Sequence, residues 1–474
     1  MSTLAIDQGT TSTRAFIAAA DGSMRQLASL THQQFYPAPG FVEHDGEELI
    51  SNIKRCLAAD DLNGIDAIGI DNQGESCLGW NAETGKPVGP VIVWQDARTA
   101  AVTDRLRAEG AEQMVLERAG LPLDPYFSAS KLGWILSENQ EARRLADRGL
   151  LRLGTTDAFF HDRLTGRFET DITTASRTSL MDLETGQWDD ELCRLFRVPL
   201  NALPKIRPST GDFGAIRCGG RMVPVTASIV DQQASLYGHG CREAGDAKIT
   251  FGTGAFALQV TSRLQRPSPD GPLPTVAWQK AGEMPTYALD GGVYCASSAL
   301  NWAQSLGLFS NFSEIDAFKG PPAIARGLVF VPALAGLACP HWDRSARGAW
   351  FGLSLDTHRL DMMRAVLEGV ALRTSEVVAA MTRLSPPSDP ISIDGGMTSN
   401  AYFCQFLADC LQRDVVVSAE PELTAIGTAA LAAEAAGRPF DIPRIGRRLR
   451  PQPFQDSWRT KFTTAVTAVR TVGS

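Results

Sequence analysis

Thr250-Phe251-Gly252-Thr253-Gly254-Ala255-Phe256 follows the alternation Ala247-Lys248-Ile249, and its reading decides the rest of the chain. It reads as a strand running into a tight turn whose two glycines let backbone amides face outward. Such a turn can hold an anion, although a Gly-Thr-Gly after a strand is also an ordinary hairpin or bulge. Two further turns favour the anion-holding reading. Leu4-Ala5-Ile6 leads into Asp7-Gln8-Gly9-Thr10-Thr11-Ser12-Thr13-Arg14 and then Ala15-Phe16-Ile17-Ala18, which is strand, polar hairpin, strand. Ile391-Ser392-Ile393 leads into Asp394-Gly395-Gly396-Met397-Thr398-Ser399-Asn400 and an apolar helical run. Three strand-turn units of one kind, spread over the whole length, predict one nucleotide site assembled from both halves of the chain.

A chain of 474 residues has room for two large domains or about three ordinary ones. Hydrophobic content of 44% and charged content of 21% are ordinary for a folded enzyme and exclude disordered and fibrous classes. A formal net charge of −8 with no long basic run argues against a nucleic-acid partner or an anionic membrane surface. No signal-peptide pattern or long apolar span appears, so the reading is cytoplasmic, with no membrane partner. The nine cysteines are scattered without a Cys-x-x-Cys pair, as reduced packing cysteines are. The six histidines show no ligand spacing for a transition metal.

Along the chain, the first hairpin continues into a third antiparallel strand over 28–34. The apolar strand Ile65–Asp71 ends in Asn72-Gln73-Gly74-Glu75-Ser76, a polar cluster at a strand's C-terminal end, where α/β folds put ligand contacts. Val91–Trp94 reads as a buried strand delivering Trp94, Gln95, Asp96 and Arg98 to the same end, with plain core packing as the other reading of Trp94. One long helical region is expected over 98–118, then a break at Asp124-Pro125-Tyr126-Phe127. Pro224–Val230 is an apolar strand ending in Asp231, Gln232 and Gln233, which presents a carboxylate to a cleft. The sequence turns small and polar over 238–245, so the domain boundary is drawn near residue 240, giving 1–240 and 241–474.

With these stretches in hand, the chain resembles the FGGY family of carbohydrate kinases, and within it most closely the glycerol kinases. The resemblance is carried by Asp7–Arg14, Tyr36–Asp45, Val93–Thr99, Asp124–Leu136, Asp231–Gly238, Thr250–Phe256, Pro340–Gly352, Asp394–Asn400 and Thr424–Ala430, nine stretches in the family's order. It implies an α/β fold of two actin-like ATPase (ribonuclease H-like) domains with a nucleotide cleft between them, the first for acceptor and phosphate hairpin, the second for adenosine. It further implies ATP and Mg²⁺, a small polyol or sugar acceptor, and a homodimer.

Residue by residue, the resemblance makes Asp231 the general base and a metal-holding acid with Asp7. It makes Thr10, Thr11, Ser12, Arg14, Gly252 and Thr253 phosphate contacts, and Asn301, Gly395, Gly396 and Asn400 adenosine contacts. Glu75, Tyr126, Asp231 and Gln232 become hydroxyl partners, with Trp94 and Phe256 as apolar walls; apart from the resemblance, Tyr126 and Phe256 also read as core residues. The local chemistry agrees, since phosphoryl transfer needs positioning, charge neutralisation and a base. A non-catalytic sensor on this fold would lack the base, and Asp7, Arg14 and Asp231 are all present; an ATPase driving shape change has no use for the Asp231-Gln232 pair. At position 74, where the resemblance expects an arginine that donates to glycerol, this chain has Gly74. That glycine is expected to open volume beside Glu75, and so to weaken glycerol use or to shift preference to a tetritol, pentitol or ketopentose.

Overall fold

A computed structural model of the chain describes residues 2–58, 62, 64–442 and 445–473. Two compact units are drawn from them: the first from 2–240, 274–287 and 422–442, the second from 241–273, 288–421 and 445–473. Two segments late in sequence thus return to the first unit.

The first unit is built on β1 (Ser2–Gln8), β2 (Ser12–Ala18), β3 (Met24–Thr31), β4 (Ile65–Asn72), β5 (Ala215–Cys218) and β6 (Arg221–Val230), in the order β5-β6-β4-β1-β2-β3. β1, β2 and β3 form an antiparallel meander, while β4 runs parallel to both β1 and β6. Helix Gly46–Leu57 packs against β1 and β2, and helix Leu423–Ala435 packs across β1, β4 and β6. Most of β1 and β4 is therefore buried, and they read as apolar runs without alternation, as strands covered on both faces do. The alanine-rich helix Leu423–Ala435 approaches its neighbours closely. A Cβ on Gly427 would strike the Ala234 carbonyl, and one on Gly238 the Leu423 carbonyl, so both crossing points of helices Asp231–Gly238 and Leu423–Ala435 require glycine.

The second unit is built on β7 (Ala247–Phe251), β8 (Ala255–Thr261), β9 (Thr286–Val293), β10 (Ile391–Asp394), β11 (Val415–Ser418) and β12 (Gly446–Leu449), in the order β9-β8-β7-β10-β11-β12. β7 and β8 form an antiparallel hairpin; β10 runs parallel to β7 and to β11. Each unit thus carries a hairpin strand followed by two parallel neighbours, the expected two-domain α/β pattern. The 26-residue helix Arg359–Leu384 supplies much of this unit's core through Met363, Val366, Leu367, Val370 and Val377, a helical spacing legible in sequence.

Three local expectations are corrected. The helical region over 98–118 is two helices, Ala100–Ala108 and Glu112–Ala119, because Gly110 between them adopts φ +85°. The strand expected over Val91–Trp94 ends at Ile92, so Trp94 lies beyond it. β3 ends at Thr31, short of Gln34. All nine cysteines are buried and unpaired, and among the described residues no helix is long and apolar enough to cross a membrane.

Candidate active site

Three acids mark the C-terminal ends of three adjacent parallel strands in the first unit. Asp7 near the end of β1 pairs in register with Asp71 on β4, Asn72 pairs with Val230 at the end of β6, and Asp231 follows as the first residue of its helix. Parallel strands end side by side, so acids far apart in sequence converge at one edge. Asp71 is wholly buried, and burial together with the charges of Asp7 and Asp231 raises its carboxyl well above the usual range, against the Thr428 hydroxyl donated to its Oδ2 at 2.7 Å. Its Oδ1 is buried without a hydrogen-bond partner. The sequence reading passed over Asp71; the signal was a third acid at a strand end, masked by the apolar run that precedes it.

A cation answers the first of these acids. Arg14, on β2 opposite Asp7, donates to Asp7 through Nη2 and to Glu422 Oε2 through Nη1 at 2.5 Å. Glu422 opens the segment that returns to this unit, a role no local pattern announces. The hairpin tip is braced as well. The Thr10 carbonyl accepts from His32 Nε2 at 2.8 Å and Gln34 Nε2 at 3.0 Å, and the Thr10 hydroxyl accepts from Trp94 Nε1 at 3.0 Å. Thr11 is exposed and Ser12 half-buried, leaving the tip's polar groups open to an anion.

The same unit holds the expected acceptor residues other than Phe256. Trp94 and Tyr126 meet edge to face, ring centres 5.5 Å apart. Lys131, wholly buried, ties their backbones together: its Nζ donates to the carbonyls of Val93, Trp94 and Tyr126 at 3.1, 3.3 and 2.9 Å. Burial lowers the Lys131 pKa, offset in part by Glu75 and Asp96. Glu75 is buried at φ +59°, a conformation that strains a side-chain-bearing residue by about 1 kcal/mol. Arg177 Nε donates to Glu75 Oε1 at 2.7 Å, both side chains 6% exposed. Gln232 N donates to Asp231 Oδ1 at 2.7 Å. Neither Lys131 nor Arg177 was singled out from sequence, since long cations are usually solvated.

The sequence expectation of open volume at position 74 fails. A Cβ placed on Gly74 falls 2.8 Å from Val230 Cγ2, so the glycine opens no room in that direction; it is where the chain passes closely under β6. The guanidinium beside Glu75 is that of Arg177.

In the second unit, Thr250 pairs in register with Asp394, so the turns after β7 and β10 leave from neighbouring strand ends. The first turn rests on helix Ser297–Ser305: the Thr253 carbonyl accepts from Ala296 N at 2.9 Å and Ser298 Oγ at 3.0 Å. Asn301 is exposed on that helix. Gly395 takes φ +97° with its α-carbon against the Phe251 backbone, which excludes a side chain, while a Cβ on Gly396 would meet open space. Phe256 is half-buried where β8 begins, opposite Thr250. Asn400 spends its side chain on the fold: Oδ1 accepts from Phe403 N at 2.7 Å to cap helix Ala401–Leu411, and Nδ2 donates to the Ile315 carbonyl at 2.7 Å.

Among the described residues no group of three or more His, Cys, Asp or Glu forms a metal cage. Mg²⁺ needs none, being bound through one or two carboxylates plus substrate phosphates and waters. Asp7 and Asp231 end neighbouring strands on either side of Asp71, whose Oδ1 is buried and unpartnered, so the donor set fits such an ion.

The FGGY family of carbohydrate kinases matches this chain through its N-terminal domain at residues 2–238 and its C-terminal domain at residues 247–436. A protein described as a glycerol kinase from Citrifermentans bemidjiense is 42% identical over 446 residues, 92% of this chain and 90% of that one. Another from Methylobacterium nodulans is 41% identical over 482 residues, covering 98% and 94%. The crystal structure of Plasmodium falciparum glycerol kinase with ADP superposes with a TM-score of 0.90 at 29% identity, covering 99% and 98%. A gluconate kinase structure from Lactobacillus acidophilus, at TM-score 0.88 and 21% identity over 100% and 99% of the two chains, speaks to the fold alone.

Proposed function

Because this chain belongs to the FGGY family of carbohydrate kinases, we propose that it transfers the γ-phosphoryl group of ATP to a terminal hydroxyl of glycerol. The observation that carries the reading is the row of acids Asp7, Asp71 and Asp231 at adjacent parallel strand ends beside a phosphate hairpin held by Arg14. The similarity to proteins described as glycerol kinases over more than nine-tenths of the chain supports glycerol as the acceptor.

Asp231 takes the proton of the attacking hydroxyl, whose oxygen forms the new bond to the γ-phosphorus as the bond to the ADP oxygen breaks. Its station at the first residue of a helix directly after β6 keeps the carboxylate half-exposed and its backbone fixed. Glu75, Tyr126 and Gln232 orient the acceptor hydroxyls, and Trp94 lies along the carbon chain, excluding water. The Arg177 guanidinium holds the Glu75 carboxylate in one orientation. Arg14, Thr10, Thr11 and Ser12 hold phosphate oxygens, and Gly252 and Thr253 offer backbone amides suited to a phosphate. Gly395, Gly396 and Asn301 border the adenosine. Mg²⁺, held by Asp7 and Asp231, would supply neutralisation of phosphate charge.

The deciding experiment measures ADP release with ATP and Mg²⁺ in the presence and absence of glycerol. Release that depends on glycerol supports the proposal; release independent of any polyol or sugar across a panel overturns it.

A further inference from the structure

The second unit contains a cavity of about 350 Å³ that none of the candidate site residues above lines. It lies between the second half of helix Arg359–Leu384 and helix Asp456–Gly473, with the Pro340-His341 turn at its mouth. Its place in the unit sets it apart from the glycine turns. Ser385, just past the first helix, accepts from Gln259 near the end of β8, and Ser388 N donates to the Gly245 carbonyl at 2.7 Å, just before β7. That end of the helix is therefore at the start of β7, whereas the turns at Gly252 and Gly395 leave from the far ends of β7 and β10.

The lining is cationic. Among the described residues Arg383 has no ion-pair partner. Arg459 Nη1 donates to Ser375 Oγ at 2.8 Å and its Nη2 to the Cys410 carbonyl, while its nearest acid, Asp456, is 3.9 Å away and fully exposed. Glu376, the acid on the wall, is already paired with Arg373 and lies 3.5 Å from His341 Nε2, a buried nitrogen without a hydrogen-bond partner. Two guanidiniums of the lining, Arg383 and Arg459, thus stand with one carboxylate that the buried Arg373 already pairs, in a chain whose formal net charge is −8. The floor, Leu372, Ala379 and Phe462, is apolar.

We propose that this cavity is a binding site for a small phosphorylated organic anion, its phosphate on Arg383, Arg459 and His341 and its carbon skeleton on Leu372, Ala379 and Phe462. A guanidinium fork matches phosphate oxygens two at a time, and a cavity near the lower end of the usual range, about 300 to 1,000 Å³, suits a skeleton of about three to six carbons. The site is separate from the proposed phosphoryl-transfer centre, so its occupant need be neither ATP nor acceptor.

The test is calorimetric titration of 3-phosphoglycerate into the full chain held with Mg²⁺, glycerol and a non-hydrolysable ATP analogue, so that the transfer centre is already filled. One site is expected, with Arg383→Met weakening it by about tenfold or more while glycerol-dependent ADP release stays unchanged. Ala379→Phe, which fills the floor, is expected to abolish the heat in a variant whose melting temperature shows it folded. No heat up to about 10 mM, an affinity weaker than about 3 kcal/mol, overturns the proposal. So does equal binding by Arg383→Met, or inorganic phosphate binding as tightly as 3-phosphoglycerate.

Discussion

Adding a side chain at Gly74 should strike β6 directly before the proposed base. The new Cβ would stand 2.8 Å from Val230 Cγ2, against about 3.5 to 4.0 Å for two carbons at their optimum. Val230 has little freedom to yield. It is 2% exposed, its β-branched side chain favours few rotamers, and its backbone N–H donates to Thr173 Oγ1 at 3.0 Å. Overpacking of this kind costs about 1 to 3 kcal/mol, so Gly74→Ala should lose that much in urea unfolding of the first unit. Because Asp231 follows Val230, a shift of the strand end moves the carboxylate, and a displacement of about 1 Å can lower kcat by about 10². Truncating Val230 removes the obstructing methyl groups. The double variant Gly74→Ala/Val230→Ala should therefore be more stable than the sum of its parts by about 1 kcal/mol or more, with part of kcat restored. If Gly74→Ala is within about 0.5 kcal/mol of the parent and the two changes add, the steric argument is wrong.

Asp231→Asn should lower kcat by about 10² to 10⁴ with ADP affinity retained, as read by steady-state kinetics and nucleotide titration; more than a tenth of the activity remaining would remove Asp231 as base. Glu422→Gln leaves the Arg14 guanidinium to Asp7, where it competes for that carboxylate, so KM for MgATP should rise by up to about fivefold, with stability lowered by no more than about 1 kcal/mol for a pair whose side chains are 30% and 24% exposed. Against erythritol, ribitol and xylulose, glycerol should show the highest kcat/KM; a longer acceptor outrunning it would reinstate the open-pocket reading of Gly74. Asp157 is buried with its carboxyl raised to about 6 by burial and by Asp171, despite the Thr155 and Thr170 hydroxyls it accepts. A carboxyl raised on folding binds its proton more tightly in the native state, so its contribution is fully present below the unfolded value near 4 and is lost as pH rises through about 6. Compared with the parent, Asp157→Asn should flatten the stability profile in that window, measured by denaturant titration at a series of pH values.

Sequence alone determined the strand-turn units around Asp7, Gly252 and Gly395, because apolar strands and glycine turns are local patterns, and the acid at Asp231, because a strand's end is marked by the end of its apolar run. Tertiary structure decided what those units meet. Asp71 stands against Asp7 through parallel pairing, Glu422 reaches Arg14 across a separation of 408 residues, and Arg177 reaches Glu75 across 102. Gly74 shows the same division in reverse: the sequence displays a missing side chain and suggests space, yet Val230, from a strand more than 150 residues away, occupies it. Asn400 and Lys131 make the point for polar groups, one a helix cap and the other a bridge between carbonyls. Local periodicity follows from backbone geometry and burial within one element, so it is written in adjacent residues. Pairing between distant acids, cations and carbonyls depends on which strands lie side by side, and that is fixed only when the whole sheet forms.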